Sequence, residues 1–153
     1  MATNLIFAVA LKVILEQVMV LSEFKYPASF KGKYAGVFVL TIVQFLGGAI
    51  HAIIGLGLIY AASGELVYNV YTLLYGVFSI IFAYGLWAGK KSGWLGTIIV
   101  SLFVIVVDVS TVLNVQLIAG VPRTAALGEI FISLVFLVYL FQPKIVRVFK
   151  EAN

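Results

Sequence analysis

A lone histidine and two carboxylates, His51, Asp108 and Glu129, stand inside long apolar runs. Ionisable groups in such surroundings are costly and mark proton relays, cation sites or the polar end of a lipid or quinone pocket. They can equally satisfy one another and fix helix register, as a single polar residue does in a coiled coil. One histidine with two carboxylates is an incomplete metal set unless water or another chain supplies ligands, so no metal site is predicted. The chain has one His and no Cys, which excludes bis-histidine haem, thiolate metal sites, disulfides and a cysteine nucleophile within a single copy. Gly47-Gly48 and Gly55-x-Gly57 are not a phosphate loop, because no strand precedes them and no Gly-Lys-Ser/Thr follows. No catalytic residue and no cofactor are predicted.

The spacing places the three groups at one depth. With about 1.5 Å of rise per residue, His51 lies about 24 Å and Asp108 about 22 Å above the basic-side starts of their runs, while Glu129 lies about 7 Å below the opposite start of its own. Helical phase groups Gln44, Gly48, His51 and Gly55 on one face, and Thr97, Ser101, Asp108 and Thr111 on another. Polar seams of this kind turn toward protein or a wet cavity. The predicted intramembrane cluster is therefore His51, Asp108, Glu129, Gln44, Ser101 and Thr111, with His51 and Asp108 mutually dependent if they meet and Tyr71 and Tyr75 as a possible wall. Gly47, Gly48, Ala52 and Gly55 read as a small-residue face for close helix packing. Tyr68, Tyr71, Tyr75, Phe78 and Phe82 form an aromatic row whose plain reading is packing against another helix, a cofactor box being the other.

The elements that position these residues must be membrane spans. Of 153 residues 63% are hydrophobic and only 10% charged, more apolar surface than one small soluble core can hide. Four runs, 34–62, 66–88, 93–119 and 124–142, are long enough for about 30 Å of hydrocarbon. They are helices, because a backbone in lipid must satisfy its own hydrogen bonds and these runs lack the alternation of barrel strands. Short turns, Ser63-Gly64-Glu65, Gly89-Lys90-Lys91-Ser92 and Gly120-Val121-Pro122-Arg123, join them into an all-α, up-and-down, polytopic transmembrane bundle.

The cations set its orientation. The net charge of +4 would suggest nucleic acid in a soluble protein, but here the basic residues sit in connecting segments and no nucleic-acid partner is predicted. Lys25, Lys31, Lys33, Lys90, Lys91, Lys144, Arg147 and Lys150 fall on one side and Arg123 on the other, which makes the first side cytoplasmic, C-terminus included. Tyr34, Tyr84, Trp87, Trp94 and Tyr139 belt that interface, and Tyr60 and Tyr68 the opposite one. The chain is thus predicted as a multi-pass protein of the cell membrane whose basic face prefers anionic lipid.

Residues 4–22 are more ambiguous. Lys12 and Glu16 each cost about 2.5 to 3.5 kcal/mol on insertion scales, close to the gain from the apolar residues around them. Ala8, Lys12 and Glu16 make a narrow stripe in which the two charges can pair. The segment reads either as a fifth span with this stripe turned toward a partner protein, or as an amphipathic helix on the cytoplasmic surface. Residues 1–33 are therefore taken as an N-terminal helix with a basic linker, and 34–153 as the four-span bundle with its basic tail. No basic n-region or cleavage site marks a removable signal peptide.

Gln44-Phe45-Leu46-Gly47-Gly48, Gly55-Leu56-Gly57-Leu58, Tyr84-Gly85-Leu86-Trp87-Ala88-Gly89-Lys90-Lys91-Ser92-Gly93-Trp94 and Tyr139-Leu140-Phe141-Gln142-Pro143 resemble a widespread group of small prokaryotic four-span membrane proteins of uncharacterised function, over about residues 34–149. The resemblance implies a four-helix fold and no activity, and it leaves residues 1–33 as an addition. Two function classes follow. One is a non-catalytic accessory or assembly subunit packing beside a larger membrane complex. The other is a small oligomeric transporter of a proton, cation or small solute along the His51/Asp108 seam.

Overall fold

The computed structural model describes residues 35–151. The predicted N-terminal helix, its partner-facing residues Lys12 and Glu16, the linker lysines and Tyr34 lie outside the described residues. Within them the chain forms α1 (Ala35–Tyr60), α2 (Leu66–Trp87), α3 (Lys91–Val112), α4 (Arg123–Leu140) and α5 (Pro143–Glu151), with no strand. The first four are long and apolar enough to cross a membrane. Between a quarter and a half of each span is buried inside the bundle, and the rest presents large apolar side chains such as Val39, Ile50, Ile99, Phe131 and Val138 outward. That is the distribution of a bundle solvated by hydrocarbon.

Three spans end within two residues of the sequence expectation. The third does not: it was expected over 93–119, but α3 starts at Lys91 and stops at Val112. Its 22 residues already measure about 33 Å. The stop is a backbone device: Asn114 takes φ +60° while the Val115 amide donates to the Ser110 carbonyl and the Asn114 amide to that of Thr111, the αL termination usual for helices. The apolar run through Ile118 therefore continues as loop. Its Leu117 amide donates to the Ser110 hydroxyl, and Val121 packs with Val107 and Ala126 beneath it. The same termination, with Gly89 at φ +67°, ends α2 and turns the chain into α3.

Close approach holds the helices in register. On α1, Gly48 and Gly55 face α2, where a Cβ on Gly48 would stand 2.9 Å from the Gly76 carbonyl and one on Gly55 would strike the Leu73 backbone. Ala52 sits against Gly76 in the same contact. Gly85 and Gly93 let α2 and α3 touch backbone to backbone beside their turn. At this basic end the Trp94 indole donates to the Leu140 carbonyl and stacks on Phe149 of α5, with centroids 6.3 Å apart. Phe149 and Ile145 are buried while Lys144, Arg147 and Lys150 stay exposed, so α5 is an amphipathic coda.

Candidate polar site in the bundle

The helices place the sequence-predicted polar residues in two groups. α1 presents Gln44, Gly47, Gly48 and His51; α2 adds Tyr75 and Ser79; α3 adds Val100 and Ser101; α4 adds Glu129, Ser133 and Phe136. Together they line a cavity of about 110 Å³. Its walls are mostly apolar, with few polar atoms turned into the space. The Thr97 hydroxyl, whose one proton these two acceptors share, lies 3.1 Å from Oε1 of the cavity-lining Gln44 and 2.9 Å from the Gly93 carbonyl.

At the seam between α1 and α4, His51 and Glu129 meet. Nδ1 of His51 is 2.8 Å from the Gly47 carbonyl, and Nε2 is 3.2 Å from Glu129 Oε1. A carbonyl only accepts, so Nδ1 carries hydrogen and donates to Gly47. One further proton then lies between Nε2 and Oε1, held either by the imidazolium or by the carboxylic acid. The pair is neutral overall in both placements. The His51 and Tyr75 rings also meet in a T-shaped contact, with centroids 4.8 Å apart at 78°. The pair is not sealed: 27% of the His51 side chain and 21% of the Glu129 side chain remain accessible.

Asp108 is elsewhere. It does not line the cavity and makes no hydrogen bond to His51 or Glu129. Its side chain is fully buried, and among the described residues neither carboxylate oxygen has a hydrogen-bond partner; the Tyr71 hydroxyl is likewise buried and unpartnered. The expected meeting of His51 with Asp108 is thus replaced by His51 with Glu129. Thr111, also expected in the cluster, is buried near the far end of α3 and donates to the carbonyl of Val107 in its own helix. Gly47 departs as well: a Cβ there would meet nothing within 4 Å, so among the described residues it packs against no other helix.

Ser79 and Ser133 join the cavity without having been singled out in the sequence. Each follows a member of the site by four residues, Tyr75 and Glu129 respectively, and that spacing was the available signal. Among the described residues no group of three His, Cys, Asp or Glu side chains is arranged to hold a metal ion. Chemically, the site offers one transferable proton between His51 and Glu129, beside hydroxyl and amide groups and a water-sized space.

The chain matches no protein-family model, no curated protein and no solved structure.

Proposed function

We propose that the chain is a non-catalytic accessory or assembly subunit of a larger complex in the cell membrane, with its basic end and C-terminus in the cytoplasm, and that a partner helix packs over the α1–α4 seam. The observation that carries this reading is the part-open His51–Glu129 pair. His51 lies about 13 Å and Glu129 about 9 Å inside the far ends of their helices, below the membrane interface. Polar groups at that depth turn toward protein or water and not toward acyl chains. The surface beside them suits a helix. Positions Gly47 and Gly57 on α1 and Gly128 on α4 have open space where a Cβ would stand, and small residues on an outward face let a second backbone approach closely. The resemblance to small four-span proteins, which implies a fold and no reaction, is consistent with such a role.

The test is the mass of the particle extracted in mild detergent. The reading predicts one assembly of fixed stoichiometry that Gly47→Leu and Gly57→Leu reduce to the lone chain with helix content unchanged. A lone wild-type chain under the same conditions contradicts it.

A second reading, transport, is favoured by a separate observation: the water-sized cavity and the buried, unpartnered Asp108 lie on the same helix, α3, through Ser101 and Asp108. Proton or cation flux from the purified chain in vesicles, abolished by Asp108→Asn, would establish it in place of the first.

A further inference from the structure

The described charges divide unevenly between the two ends of the bundle. Lys90 and Lys91, where α2 turns into α3, and Lys144, Arg147 and Lys150 on α5 are exposed at one end, and among the described residues Glu151 is the one carboxylate there. The other end carries one charge of each sign, Arg123 and Glu65. Among the described residues no salt bridge engages the five cations of the basic end. Packing decides where they point. At about 100° per residue, Lys144, Arg147 and Lys150 span an arc of about 120° on α5, centred opposite Ile145 and Phe149. Those two side chains are buried, Phe149 being stacked on Trp94 of α3. The buried face of α5 is therefore spent on the bundle, and its cations are held outward beside the start of α3. On α3 the two lysines differ in phase. Lys90 is followed at helical spacing by Trp94, Thr97, Ile98 and Ser101, all buried. Lys91 is followed by Leu95, Ile99, Leu102 and Val106, all exposed. From Lys91 to Leu102 is about 16 Å along the axis, close to half of a hydrocarbon core of about 30 Å.

We propose that this end is a binding site for an anionic phospholipid, its phosphate on the Lys91 ammonium, one acyl chain along Leu95, Ile99 and Leu102, and the α5 cations supplying the surrounding positive field. Acyl chains cover the outward face of any spanning helix; the charges here decide which headgroup those chains carry. A zwitterionic headgroup brings a cation of its own to a surface that already holds five, whereas an anionic phosphodiester brings the charge that is matched, and each Lys or Arg near the surface adds to that attraction. The stripe below Lys91 argues for lipid over a soluble acidic partner. It is apolar for the depth of one leaflet, so it fits a hydrocarbon chain joined to the phosphate and offers an acidic peptide nothing. Docking of α5 keeps its cations in place without ordering a free tail on binding, which lowers the entropic cost of the site. The site lies on α3 and α5 and does not depend on what covers the α1–α4 seam.

The two tryptophans of the chain, Trp87 at the end of α2 and Trp94 in the first turn of α3, both lie at the basic end, so their fluorescence reads this leaflet. The full chain in vesicles of phosphatidylcholine and phosphatidylglycerol, with bromine on the acyl chains of one lipid or the other, gives the relative affinity of the two lipids from tryptophan quenching at low salt. A preference for phosphatidylglycerol of at least about fivefold is expected. Lys91→Gln should lower it by about threefold or more, Lys91→Arg should keep it, and Lys90→Gln should change it by less than about 1.5-fold. Both lysines are exposed, so helix content should be the same in every variant. Equal quenching by the two lipids would overturn the proposal, as would equal losses in Lys90→Gln and Lys91→Gln, the mark of diffuse attraction without a site. Loss of the preference on adding a glutamate-rich peptide in solution would assign the cations to an acidic partner protein and overturn it as well.

Discussion

Nε2 of His51 on α1 and Oε1 of Glu129 on α4 lie 3.2 Å apart across 78 residues of chain. Among the described residues this contact joins the first and last spans. Removing one partner strands the other below the membrane surface, at a cost of about 1 to 3 kcal/mol. His51→Leu and Glu129→Leu should each lower stability by that amount, and the double variant should recover part of the loss. Unfolding in mixed micelles by a double-mutant cycle measures the coupling, and strictly additive losses would remove the pair from the account.

Asp108 should behave in the opposite way. Its carboxyl is fully buried and unpartnered among the described residues, so replacing it by an apolar side chain of similar size removes a desolvated polar group. Asp108→Val is expected to raise stability by about 1 to 3 kcal/mol. A destabilisation on the same scale would show that Asp108 is engaged in the folded chain.

Glycines on α1 separate folding from assembly. Gly55 is seated against the Leu73 backbone, whereas Gly57 is exposed with open space where a Cβ would stand. Gly55→Ala forces α1 and α2 apart and should cost about 1 to 3 kcal/mol, the range for overpacking. Gly57→Leu should leave the stability of the lone chain within about 0.5 kcal/mol. Thermal unfolding of both variants in one detergent compares them, and equal losses would contradict the assignment of faces.

The helices and their turns were legible because apolar run length and Gly- or Lys-bearing turns report membrane crossing directly. Glycine packing was half legible: the spacing of Gly48, Ala52 and Gly55 marks a face, but Gly47, one residue away, points about 100° around the helix and away from it. The helical rise puts His51, Asp108 and Glu129 within the far halves of their helices. Depth does not choose partners, however. Which side chain His51 meets depends on how four helices are arranged around one another, and the 3.6-residue period is silent on that. The end of α3 was hidden because an apolar sequence through Ile118 carries no helix-stop composition; the stop is made by Asn114 in the left-handed region.

Orientation rests on the distribution of cations and has its own check. A cysteine at Lys91 or Lys150 should react with an impermeant maleimide only from the cytoplasmic side, and one at Gly64 only from outside. Labelling of all three from one side, or the inverse pattern, would break the up-and-down arrangement or invert it.

The claim that a partner covers the α1–α4 seam is tested most directly by site-specific photocrosslinking in native membranes, with the probe placed at Ile50, beside Gly47 on the outward face of α1. One protein adduct of defined mass, retained when the probe is at Phe131 on α4 and lost in Gly47→Leu, is the predicted result. Adducts with lipid alone at both positions would contradict it.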